Sequence, residues 1–161
     1  MLFRSPLRSK AFHDVWYGKM ETAGGLEDHI AGLKQLAKKR PYMDLDRVGI
    51  TGHSGGGFAS TRALFLYPKF FKVAVSSSGN HDQRGYLQQW GEKYQGLMSE
   101  GASYAAQVNA SIAHRMTGKL MLAYADMDDN VPPALTLQVA DALIKANKDF
   151  DLVVMPNHNH L

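Results

Sequence analysis

Arg47-Val48-Gly49-Ile50-Thr51-Gly52-His53-Ser54-Gly55-Gly56-Gly57 is the stretch whose reading decides the fold. Its first half is a short apolar run bounded by turn residues, as buried parallel strands are. Its second half is G-x-S-x-G, and a helix is predicted to follow from about Gly56 to Tyr67, where Pro68 stops it. A serine held between glycines, after a strand and before a helix, predicts a sharp turn that lifts the hydroxyl above the sheet edge. The flanking positions must be small for that turn to close. The N-terminus of the following helix adds positive potential, and the backbone N–H of Gly55 is placed to donate to an oxyanion. The competing reading is a glycine-rich turn around a buried serine.

Upstream of this stretch, Ile30, Leu33, Leu36 and Ala37 recur at three- and four-residue steps after Leu26, with Glu27, Asp28 and Lys34 on other faces. That pattern predicts an amphipathic helix ending near Lys39, broken by Pro41-Tyr42-Met43-Asp44. The first 25 residues show no clean period and read as loop with some short helix. Downstream, Phe71–Ser77, Lys119–Ala125 and Asp151–Met155 read as strands and Pro133–Ala146 as a helix. Gln83–Thr117 is aromatic-rich and weakly periodic, and is assigned short helices and loops. Strands alternating with helices imply a parallel sheet flanked by helices, with right-handed crossovers. The expected organisation is one α/β domain over residues 1–161.

Composition narrows the function. A chain of 161 residues that is 45% hydrophobic and 20% charged can bury a real core. Its 18 Lys+Arg against 15 Asp+Glu leave a formal charge of +3, and the basic residues are scattered, Lys38-Lys39-Arg40 being the densest run. This is a solvated surface, not a nucleic-acid stripe. The absence of cysteine excludes a disulfide scaffold, a thiolate zinc site and a cysteine nucleophile, and leaves the compartment open. No stretch approaches the roughly 18 apolar residues that would span a bilayer, and Met1–Pro6 is too polar and short for a signal peptide.

A serine hydroxyl needs a base at neutral pH, and on such a sheet the acid and the base follow the serine in the order Asp, then His. Asp126, Asp128 and Asp129 lie just past the strand KLMLAYA; His158 and His160 lie just past DLVVM. Both groups fall at the C-terminal ends of predicted parallel strands, where catalytic residues gather. Spacing alone does not choose among these carboxylates and histidines. Loop solvation or helix capping is the favoured account of Asp126 and Asp129, and a metal on His158 and His160 would lack further ligands. No cofactor is implied. His29, His53, His81 and His114 read as satisfied polar or surface histidines, with His53 and His81 close enough to the serine to shape the site. Tyr86, Trp90 and Tyr94 suit either a pocket lining or the core.

Taken together, these motifs resemble the prolyl-oligopeptidase/dipeptidyl-peptidase family of serine peptidases, from about Leu7 to the last residue. Asp44-Leu45-Asp46-Arg47 through Gly57 is similar to that family's nucleophile segment, and Asp128-Asp129-Asn130-Val131 to its acid-bearing segment. The resemblance implies an α/β-hydrolase fold with Ser54 as nucleophile, Asp128 as the acid and His160, not His158, as the base. It implies an acyl-enzyme on Ser54 and an oxyanion donor at Gly55. Trp90-Gly91-Glu92-Lys93-Tyr94-Gln95-Gly96 resembles the region that helps build the pocket for the residue before the cut. Tyr86, Trp90, Tyr94, Asn130 and Val131 are the implied substrate contacts. The implied substrates are short peptides, often with proline or alanine before the cut.

The family's hydrolase domain has more strands ahead of the nucleophile strand, a second oxyanion donor on a tyrosine, and a helix after the histidine. The expectation here is therefore a truncated domain. Loss of one oxyanion donor costs on the order of 3 kcal/mol of transition-state stabilisation. Weak or absent turnover in the isolated chain is expected, with self-association through an open edge at Val48–Thr51. An esterase on the same fold, and a non-catalytic interaction module, are the alternatives.

Overall fold

The computed structural model describes residues 8–160. The readings placed on residues 1–7, the Met1–Pro6 segment among them, and on Leu161 lie outside the described residues. The elements are α1 (Lys10–Asp14), α2 (Leu26–Ala37), β1 (Val48–His53), α3 (Gly55–Leu66), β2 (Phe71–Ser77), α4 (Gln88–Gln95), β3 (Lys119–Ala125), α5 (Pro133–Lys145) and β4 (Asp151–Met155). Short 3-10 segments lie at Met20–Thr22, Gln83–Gly85, Met98–Glu100 and Ala110–Arg115. The four strands are all parallel and stand in the order β1-β2-β3-β4. The β elements agree with the predicted strands to within a residue or so. The aromatic stretch resolves into α4 and three of the 3-10 segments.

Successive strands are neighbours, and the right-handed crossover that parallel strands favour returns the connecting segments over one side of the sheet. Ala74, Leu120 and Leu122, on that side, are buried against Phe58, Leu64 and Phe65 of α3 and Val139 and Leu143 of α5. Burying one such leucine contributes roughly 2 kcal/mol. The alternate row shows a different environment: Val73 is 46% and Val153 41% exposed, and Gly49 and Thr51 are exposed too. β1 and β4 are the two edges of this sheet.

α3 is the central helix, buried from Gly57 to Phe65. A helix buried all round has no polar face to give to water, so Ser60 and Arg62 bond inward, while Thr61 Oγ1 is buried without a partner among the described residues. Ser60 Oγ donates to the Gly56 carbonyl at 2.8 Å. Arg62 donates to the carbonyls of Glu21, Gln107 and Ala106 and to Asn109 Oδ1. Burial lowers its pKa to about 10, which leaves the guanidinium charged at neutral pH. Arg62 thereby fastens the segment at Glu21 and the loop before Ala110 to α3, the helix that follows Ser54.

Candidate active site

Ser54 connects β1 to α3 with φ 58 and ψ −123, a conformation that few non-glycine residues adopt. A serine before a helix ordinarily turns its oxygen back to cap the first turn. Here no side-chain cap bond forms, so Oγ is not consumed by the helix. The turn is held by its backbone: Ser54 N–H donates to the Ser77 carbonyl at 2.8 Å, and Phe58 N–H to the Ser54 carbonyl at 3.0 Å.

Glycine is needed at two points of this turn, and one is not where the motif places it. A Cβ on Gly52 would lie 2.2 Å from the Gly56 carbonyl oxygen. A Cβ on Gly57 would lie 2.5 Å from the Ser77 carbonyl oxygen. A Cβ on Gly56, the last glycine of G-x-S-x-G, would meet nothing within 4 Å. The approach at Gly52 lies within the motif, whereas that at Gly57 is between the turn and the neighbouring strand, which a linear motif does not contain. Gly55 is the first residue of α3, where backbone N–H groups have no acceptor within the helix.

Of the three aspartates after β3, only Asp128 meets a histidine. Its Oδ2 pairs with His160 Nδ1 at 2.8 Å, and its Oδ1 accepts the N–H groups of Val131 at 2.8 Å and Asn130 at 3.0 Å. The Asp128 side chain is 1% exposed and that of His160 16%. Burial pushes the Asp128 pKa up. The His160 bond and the two backbone N–H groups outweigh this and hold the carboxyl below its usual range. Asp126 instead accepts Asn157 N–H at 2.7 Å, and the exposed ring of His158 turns to the Pro156 carbonyl at 2.8 Å.

Ser54 reaches this pair through its neighbour. The ring of His53 lies against that of His160, centroids 4.5 Å apart and tilted 46°. His53 Nδ1 is 3.2 Å from Ser77 Oγ. Among the aromatic candidates, Tyr86 O–H donates to Asn130 Oδ1 at 2.6 Å, and Tyr86, Trp90 and Tyr94 form an edge-to-face series at 5.6 and 4.9 Å. Trp90 Cζ2 lies 3.4 Å from where a Cβ on Gly55 would sit, so the middle ring of this series lies beside the serine turn. Asn130 is exposed, whereas Val131 is 2% exposed and presents its N–H to Asp128. The roles of Ser77 and Asn159 were not foreseen, since one depends on strand register and the other on the meeting of two loops.

The chain matches the Prolyl oligopeptidase family over residues 5–161. It is similar to human dipeptidyl peptidase 8, 32% identical over 139 residues that cover 84% of this chain and 16% of that protein. It is also similar to the inactive dipeptidyl peptidase 10 of Rattus norvegicus, 30% identical over 83% of this chain and 17% of that protein. Among solved structures, Porphyromonas gingivalis dipeptidyl peptidase 4 superposes with a TM-score of 0.85 at 27% identity, covering 95% of this chain and 22% of that one. The chain thus spans about a sixth of the length of these curated relatives. The parallel sheet with its flanking helices is an α/β-hydrolase fold. On the match over residues 5–161 and the curated similarity, this chain belongs to the prolyl oligopeptidase family.

Proposed function

We propose that this chain carries the acyl-transfer centre of a serine peptidase, with Ser54 as nucleophile, His160 as general base and Asp128 as its partner. One relative of comparable similarity is inactive, so the reading rests on this chain's own residues. The observation that carries it is the Asp128–His160 pair, met by the ring of His53, the residue that precedes the strained, uncapped Ser54. With Nδ1 on Asp128, the other ring nitrogen of His160 is left to take a proton.

In the proposed reaction Ser54 Oγ bonds to the peptide carbonyl carbon while its proton passes to His160 Nε2. The carbonyl oxygen becomes an oxyanion facing the Gly55 N–H at the start of α3. Collapse breaks the C–N bond, and His160 returns the proton to the departing amine. Water then repeats the sequence on the acyl-serine and releases the acid. Asp128 stays ionised throughout and supports the imidazolium, in keeping with a carboxyl held below its usual pKa. Tyr86, Trp90, Tyr94 and Asn130 are the proposed walls of the pocket for the residue before the cut. Val131 contributes through its N–H to Asp128. The names of the similar proteins support short peptides as substrates.

Labelling with a fluorophosphonate probe tests this reading. Wild type should label, Ser54→Ala should not, and Asp128→Asn and His160→Ala should react roughly 10⁴-fold more slowly. A panel of prolyl and alanyl dipeptide amides against p-nitrophenyl esters then separates peptidase from esterase. Faster turnover of the esters alone would favour the esterase. Labelling needs only an activated nucleophile and not the full cycle, so weak turnover is compatible with the proposal, whereas a folded wild-type chain that does not label at all would overturn it.

A further inference from the structure

His53 is read from sequence as a satisfied polar or surface histidine close enough to the serine to shape the site, and its position gives that reading a particular form. Its ladder partner in β2 is Ser77, so the two side chains leave the sheet on the same face. Ser77 Oγ, 3.2 Å from Nδ1, fixes the rotation of the ring. The other nitrogen, Nε2, is buried without a hydrogen-bond partner among the described residues. A buried polar atom left unpaired is unfavourable, so the position retains an imidazole at some expense of stability. The ring centre lies 4.5 Å from that of His160, the two planes tilted by 46°, within the range of interacting aromatic pairs.

Burial lowers the His53 pKa, and the charge of His160 lowers it further, while Asp128 opposes them. The ring is therefore neutral at neutral pH and adds no repulsive charge when its neighbour takes a proton. Asp128 grips one edge of His160. That bond fixes one edge of the imidazole, and the ring of His53 packs against it.

We propose that His53 is a positioning residue for His160: anchored by Ser77, its ring is the surface against which the base is held beside Ser54. This inference rests on the serine-hydrolase reading above. It assigns to the variable position of G-x-S-x-G a task in the reaction.

The test uses the 161-residue chain and two readouts, the ring resonances of His160 by NMR and the rate of fluorophosphonate labelling at Ser54. In His53→Gln, which keeps a polar group for Ser77 but has no ring, the His160 resonances should lose their ring-current shift. Labelling should slow about three- to tenfold. His53→Phe, which restores a ring, should recover most of both, and Ser77→Ala should fall between. Unchanged His160 resonances in His53→Gln would overturn the contact. Shifted resonances with an unchanged labelling rate would overturn the positioning role. A wild-type chain that shows the ring-current shift yet does not label would overturn the hydrolase reading, and with it any catalytic purpose of the contact.

Discussion

The side-chain oxygen of Asn159 accepts the backbone N–H of Asp129 at 3.0 Å and that of His160 at 2.7 Å, joining the loop after β3 to the loop after β4. Two further bonds cross the same gap, from Asn157 N–H to Asp126 Oδ1 at 2.7 Å and from Met127 N–H to the His158 carbonyl at 3.1 Å. Asp128 and His160 are thus set opposite each other by backbone as much as by their own bond.

Asn159→Ala is expected to slow labelling at Ser54 roughly ten- to a hundredfold, because misplacement of a reacting group by a fraction of an ångström is costly. Asn159 is exposed, so unfolding should shift by no more than about 1 kcal/mol. His158→Ala should leave the rate within about twofold, since that residue gives the gap only its carbonyl. Stopped-flow labelling with parallel thermal melts separates the two effects. Equal rates for wild type and Asn159→Ala would remove the bridge from the site's machinery.

The serine turn makes an asymmetric prediction about glycines. Gly52→Ala and Gly57→Ala force contacts of 2.2 and 2.5 Å with backbone oxygens and are expected to destabilise by about 1–3 kcal/mol or more. Gly56→Ala meets nothing within 4 Å and lies in a helix, so it should be neutral or stabilise by about 0.5–1 kcal/mol. Urea denaturation of the three variants checks this, and comparable losses in all three would contradict it.

Acid sensitivity should come from His81. The residue is 1% exposed, Asn109 Nδ2 donates to its Nδ1 at 3.0 Å, and burial lowers its pKa from 6.5 to about 3. Below pH 6.5 the unfolded chain binds a proton that the folded chain refuses, so stability falls as pH falls, until about pH 3. The slope is about 1.4 kcal/mol per pH unit. Asp128 adds a loss at the lower end, because its depressed pKa makes the unfolded chain the first to protonate. His81→Gln should flatten the slope between pH 6 and about 4 in denaturation experiments. An unchanged slope would mean that another group carries it.

Self-association is expected of the 161-residue chain. Val73 stands 46% exposed in the middle of the sheet, and Leu152, Val153 and Val154 stand 40–42% exposed on an edge strand. Apolar groups beside unpaired strand edges favour pairing between copies. Sedimentation velocity should show mass rising with concentration, and the double variant Val73→Lys, Val153→Lys should reduce it. A monomer at every concentration would rule this out.

Read alone, the sequence determined the strands, because a run such as Lys119–Ala125 is apolar over the length of a buried strand and bounded by turn residues. It determined the serine turn as well, since strand, G-x-S-x-G and helix are contiguous in the chain. Spacing left open which aspartate and which histidine meet, because Asp126, Asp128 and Asp129 share one loop and His158 and His160 another, and it was the family resemblance that pointed to Asp128 and His160. Only the tertiary structure decided that, through bonds between loops some thirty residues apart. The same holds for Gly57, required by β2 and not by the turn itself, and for His53, placed by a register with Ser77. Local pattern records what each residue does to its own stretch of backbone. It does not record which side chain a neighbouring strand will bring alongside.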